Sequence, residues 1–230
     1  RRHPVLIRDG VTDGNSWGLS FGTLFHMAND SGIFVTAVDL QSRGATFDGW
    51  GWSHGEQRWL PLYEAKLLYH FDHRYSTYAG LPEGYEGTAL PRLTDAQHDD
   101  PSWEPLARYW VAESDVEHAI GDRADRGWLL GWRDIARAGD ARTFVPSVLP
   151  RSAVGNKFPL TIEAKEPHLL QVLQSAFIFD YIARQKLSGT GMTYFIVKQI
   201  AAPTPAAFAT VPSWANRSLG EWITPRTLEL

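Results

Sequence analysis

The segment from Pro167 to Lys186 constrains this chain most, because its apolar residues keep the clearest helical period in the sequence. Pro167 suits a first helical position, Gly189 lies just past the end, and Arg184 and Lys186 complement the C-terminal dipole. Val172, Ala176, Phe179 and Ala183 mark one face, while Leu170, Leu173, Phe177 and Tyr181 mark a neighbouring one. A stripe this wide requires burial on more than one side, so the pattern predicts a long central packing helix over 167–186. The rest of the chain alternates short apolar runs with Gly, Asp and Asn. Val5 to Ile7, Trp17 to Phe25 and Ile33 to Val38 read as short strands or single helical turns. Tyr75 to Tyr78, Arg108 to Val111 and Tyr194 to Ile200 read as strands, and Tyr63 to His70 as two helical turns. Ser114 is placed to cap a helix from Asp115 to Gly121, with Glu117 closing a capping box. The expected class is α+β, with a twisted, mostly antiparallel sheet packed on the 167–186 helix.

A length of 230 residues allows one large domain or two intimate lobes. The expected division is one domain over 1–200, with residues 80–105 as an exposed loop or insertion, followed by an Ala/Pro-rich linker and the start of a further segment over 201–230. The ten Trp are spread too evenly for a repeat, and most are expected to be core anchors. With no Cys there are no disulfides, thiolate metal sites or cysteine nucleophile, which is compatible with a reducing cytoplasm. No apolar run approaches the roughly 18 residues of a membrane span, so no membrane partner is expected. The opening RRHPVLIRDG lacks a signal-peptide core and an initiator Met, and reads as a piece cut from a longer polypeptide.

The net charge of −4 hides a polarised distribution. Residues 81–117 hold nine Asp/Glu and two Arg, whereas residues 121–157 hold seven Arg/Lys and four Asp/Glu. The basic part, Gly131-Trp-Arg-Asp-Ile-Ala-Arg137 running into Ala141-Arg-Thr-Phe-Val-Pro-Ser-Val-Leu-Pro-Arg151, reads as a hairpin closed by an Ala-Gly-Asp turn. A rigid ribbon of guanidinium groups suits a DNA groove or a row of phosphates. Two other patterns have chemical possibilities. His70, Asp72 and His73 offer metal-ligand types, but their spacing fits one helical face poorly. Glu64-Ala-Lys66 and Glu163-Ala-Lys165, the latter with Asp140 upstream, match the triplet that some Mg²⁺-dependent nucleases use to activate water. A phosphate loop, a dinucleotide fingerprint, a nucleophile elbow and a zinc-binding HExxH helix are all missing from the sequence. This balance favours a binding module over an enzyme, with a Mg-dependent nuclease domain and a structural or protein-interaction module as alternatives.

Four blocks, HMANDSGIF (26–34), PLYEAKLLYHFDHRYSTY (61–78), GWRDIARAGDARTFVPSVLPRSAVGNKFPL (131–160) and FDYIARQKLSGTGMTYFIVKQ (179–199), occur in an order that resembles the specificity region of large adenine-specific DNA methyltransferases. These belong to type IIG restriction–modification enzymes and to the phage-defence systems of the phage growth limitation and DISARM kinds. Ala28, Ala65 and the Ile200-Ala201 pair depart from the family pattern at packing or loop-end positions. The resemblance implies a non-catalytic target recognition domain, similar to those of type I specificity subunits. Its partners would be double-stranded DNA and a methyltransferase domain of the same polypeptide. That domain would carry the S-adenosylmethionine site, and no cofactor is expected within these residues. Recognition would orient the duplex so that an adenine can leave the stack. The chemistry of the residues nominates Arg133, Arg137, Arg142, Arg151 and Lys157 for DNA contact, then His73 and Arg74, with Asn156 suited to adenine. Lys186 and Lys198 are weaker candidates, suited to capping the helix or to contacting the methyltransferase domain.

Overall fold

A computed structural model describes residues 3–82, 84–124 and 126–227. The strands are β1 (Ser20–Gly22), β2 (Thr46–Phe47), β3 (Trp52–His54), β4 (Gln57–Tyr63), β5 (Trp110–Ala112), β6 (Trp128–Trp132), β7 (Pro146–Pro150), β8 (Ala153–Val154) and β9 (Leu160–Glu163). The helices are α1 (Ala37–Ser42), α2 (Asp95–Asp99), α3 (Glu113–Ile120), α4 (Pro167–Ser175), α5 (Phe177–Lys186), α6 (Tyr194–Lys198), α7 (Pro205–Phe208) and α8 (Leu219–Thr227). The class is α+β with antiparallel strand pairing, but the described residues form two sheets: β1-β9-β6-β7, and β2-β3-β4-β5 with β8 added parallel to β4. No helix among the described residues is long and apolar enough to cross a membrane.

The chain packs as two units. The first comprises residues 1–22, 130–146 and 160–230, and the second comprises 23–129 and 147–159. Charge divides with them. The first unit has 12 Lys/Arg against 9 Asp/Glu, a net +3; the second has 10 against 17, a net −7. In the first unit Trp132 is fully buried, donates its indole N–H to the Met192 carbonyl at 2.7 Å and stacks on Phe144. Trp17, also buried, donates to the Pro203 carbonyl and meets Phe208 edge-on. The second unit is built on Trp52, Trp59, Trp110 and Leu40. These five buried Trp are the expected core anchors; Trp50, Trp103, Trp128 and Trp222 are half-buried, and Trp214 is exposed.

The expected long helix is two helices. Ala176 is extended (φ −67°, ψ 142°) and separates α4 from α5. A continuous helix would direct the Phe179 N–H to the Ser175 carbonyl. Instead Phe179 bonds Ala176, and the Ser175 carbonyl accepts from the Arg142 guanidinium at 2.9 Å. A tertiary contact thus overrides an unbroken apolar period, with no Gly or Pro at the break to signal it.

Residues 194–198 are helical (α6) rather than extended, and 199–200 form a turn. Tyr194, Val197 and Ile200 point inward at a spacing of three, and only the β-branched composition suggested a strand. Residues 63–70 give one 3₁₀ turn, Ala65–Leu67, which ends at Leu68 in extended conformation with Leu67 and Leu68 both buried. Tyr75 to Tyr78 contributes a single bridge, Ser76 to Arg92. Helix α3 starts at Glu113 with Ala112 as its cap, leaving Ser114 inside it. Glu117 is drawn away from the cap by Arg151. Residues 201–227 pack within the first unit: Val5 bridges Ala201, Ala202 donates to the Pro4 carbonyl, and α8 lies on α4. The 80–105 segment includes α2, whose Thr94 and Gln97 form a capping box, and Leu93 is buried.

Candidate nucleic-acid interface

The basic hairpin has a different shape from the one its sequence suggests. Strands β6 and β7 end at Trp132 and begin at Pro146, so Arg133, Arg137 and Arg142 lie in the connecting loop 133–145 rather than on strands. Two neighbouring segments hold this loop. On one side Ala136 donates to the Thr190 carbonyl at 3.0 Å, and Met192 donates to the Asp134 carbonyl at 2.6 Å. The Leu-Ser-Gly-Thr-Gly run is therefore the docking strip for the loop.

On the other side α5 supplies a carboxylate and a guanidinium. Asp180, only 5% exposed, accepts the main-chain N–H groups of Thr143 and Phe144 with one oxygen, each at 2.7 Å. Arg184, one turn later, donates to the carbonyls of Ala138 (2.6 Å), Asp140 (2.9 Å) and Ala141 (3.2 Å), and to Asp180 at 3.2 Å. Charge-assisted bonds of this kind are roughly twice as strong as neutral ones. Within the loop, the Asp140 carboxylate accepts the Arg137 N–H at 3.1 Å, and the Thr143 hydroxyl donates to the Arg137 carbonyl. The Arg137 main chain is thus fixed while its side chain is exposed, and its guanidinium has no hydrogen-bond or ion-pair partner among the described residues. Arg142, half-buried, holds Ser175 and lies 4.4 Å over the ring of Phe177, which is 82% exposed. Arg133 is half-buried, and its main chain pairs with Val145.

The remaining candidates belong to the second unit, so the structure does not gather all of them on one loop. Arg151 grips both oxygens of Glu117 (2.8 and 2.5 Å) and donates to the Ala124 carbonyl, which ties α3 to the segment after β7. That hydrogen bond holds the Glu117 carboxyl below its ordinary value. Arg74 donates to the carbonyls of His98, Asp100 and Trp103 at 2.8–2.9 Å, anchoring the end of the acidic 80–105 segment expected as an exposed loop or insertion. His73 is half-buried, 4.0 Å from Glu104. Burial, with Arg74 adding to it, pushes the His73 imidazole below 6.5, and burial raises the Glu104 carboxyl, so at neutral pH the contact is not an ion pair. Asn156 accepts from the Met27 N–H and donates its own main-chain N–H to Phe25, while Lys157 is exposed. Lys198 pairs with Asp9 at 3.1 Å.

No three His, Asp or Glu side chains among the described residues form a group suited to a metal ion. Glu64 accepts from the Tyr78 hydroxyl at 2.6 Å and lies 3.4 Å from Lys66, which also donates to the Gly87 carbonyl. Asp180 and Arg184 are the positioning residues that sequence reasoning passed over. Their signal was a carboxylate on the otherwise apolar inward face of α5, with a guanidinium one turn on. Compared with known proteins, the chain matches no family model, no curated protein and no solved structure.

Proposed function

We propose that this chain is a sequence-specific recognition module for double-stranded DNA, non-catalytic by itself, that serves an adenine-specific methyltransferase domain of the same polypeptide. S-adenosylmethionine would bind that other domain, and the module would be of the type I specificity-subunit kind. The observation that carries the reading is the clamped loop 133–145, in which Asp180 and Arg184 fix the main chain while Arg137 stays exposed. A guanidinium on a preorganised loop loses little conformational entropy on meeting a phosphate or a guanine edge. The net +3 of the unit that carries the loop supports the same reading.

Fluorescence anisotropy of the 230-residue chain with random-sequence duplexes, run across salt concentrations, tests the proposal. Salt-sensitive binding is expected, and Arg137→Ala should lower the salt slope by about 1 while weakening affinity. Absence of salt-dependent binding by the wild-type chain would overturn it. The net −7 of the second unit favours a second reading, a protein-interaction module for a basic partner, and that reading predicts the negative result.

A further inference from the structure

The solvent side of α5 is the wrong way round for a surface helix. Phe179, Asp180 and Ala183 are buried, and the exposed stripe is Phe177 (82%), Ile178 (63%), Tyr181 (59%) and Gln185. Surface helices ordinarily show charged or polar residues there. Exposed apolar groups collected in one place mark an interaction site more often than chance. Phe177 and Ile178 sit at the first turn of α5, directly after the extended Ala176, so the most exposed apolar residues occupy the corner between two helices.

We infer that Phe177 and Ile178 form a wedge that inserts between stacked base pairs of duplex DNA. The inference rests on the DNA-recognition reading and specifies how that interface engages the duplex. Charge selects this occupant. The Arg142 guanidinium lies on the Phe177 ring, the loop bearing the exposed Arg137 is tied to the same helix through Asp180 and Arg184, and Lys186 ends that helix. Three acids lie nearby, and none is aimed freely at solvent: Asp180 is buried against main-chain N–H groups, Asp140 accepts from the Arg137 N–H of its own loop, and Asp134 is half-buried beside Gly191. An apolar tip with cationic flanks is the chemistry by which proteins unstack a base step, the flanking cations holding the phosphates while Phe or Ile fills the opened gap. The break at Ala176 presents the tip, because in one continuous helix the Ser175 carbonyl would be occupied by the helix and Arg142 would have no anchor beside Phe177.

Insertion unwinds DNA, which gives a readout independent of the recognised sequence. The 230-residue chain is incubated with relaxed closed-circular plasmid and a type I topoisomerase, and the topoisomers are resolved after deproteinisation. The wild type is expected to shift the linking number. Phe177→Ala/Ile178→Ala should abolish the shift while retaining duplex binding in anisotropy, within about tenfold of wild type. Both side chains are exposed, so the double variant should keep its thermal midpoint, and Phe177→Trp should keep the shift. Duplex binding without a shift by the wild type, or a shift that survives the double substitution, would overturn the wedge and leave the DNA reading standing. No duplex binding at low salt would overturn both, and would assign the stripe to a protein surface.

Discussion

Replacing Asp180 with alanine removes the acceptor of two main-chain N–H groups at once, those of Thr143 and Phe144. Both residues are fully buried, so water cannot take over the vacated role without opening the loop. An unmet buried donor costs about 1–3 kcal/mol, and the lost bonds are charge-assisted, so about 3–5 kcal/mol is expected. For a chain of this length one kcal/mol corresponds to about 2–4 °C, which places the fall in Tm near 10 °C. Asp180→Asn keeps one acceptor oxygen and should lose about a third of that. Thermal denaturation followed by circular dichroism gives the magnitude, and hydrogen-exchange mass spectrometry of peptides covering 133–145 gives the location. A fall of less than about 1 kcal/mol, or unchanged protection of the loop amides, would refute the clamp.

Arg151→Ala should destabilise the second unit by about 1–3 kcal/mol through the released Glu117 and Ala124 partners, with DNA affinity changed by less than about twofold. A large loss of affinity at unchanged stability would return Arg151 to the DNA-contact group. The Glu117 carboxyl is held below its ordinary value of 4.5, so the stabilisation it provides is present above that value and disappears as pH falls through the depressed one. Its half-exposed position keeps the effect small, and Glu117→Gln should flatten the acid limb of a stability–pH curve. His73 works at a higher pH. Its folded value lies below 6.5, the unfolded chain therefore takes up the proton first, and stability falls as pH drops from about 7 towards 5. Urea midpoints across that range should show a shallower fall for His73→Gln, and an identical slope would remove His73 as the cause.

Local signals were legible where they depend on neighbours in sequence. Pro167 opens α4, Arg184 and Lys186 lie in the last turn of α5, and the strand expected near Arg108 to Val111 is β5. The α+β class and antiparallel pairing followed from the same patterns. What sequence could not show is decided by partners far along the chain. At the break after Ser175 the freed carbonyl is met by Arg142, the acidic segment is held by Arg74, and Glu117 is engaged by Arg151 rather than by a cap. Among the nominated arginines, the chemistry of the residue type could not separate one that braces carbonyls, such as Arg74, from one left exposed, such as Arg137. That difference lies in tertiary geometry alone.

The alternation of the chain between its two units sets an order for folding during synthesis. The second unit has all its residues once position 159 has left the ribosome. The first unit opens the chain but cannot close until α8 arrives to lie on α4. Residues 1–22, with the buried Trp17, must therefore wait for partners such as Pro203 and Phe208 while the residues of the second unit are synthesised in the interval. Contacts of such sequence separation form slowly and leave apolar surface uncovered in the interval. A nascent chain stalled before α7 would hold a finished acidic unit and an unfinished basic one, and truncations that remove α7 and α8 should fail by aggregation of the first unit while sparing the second.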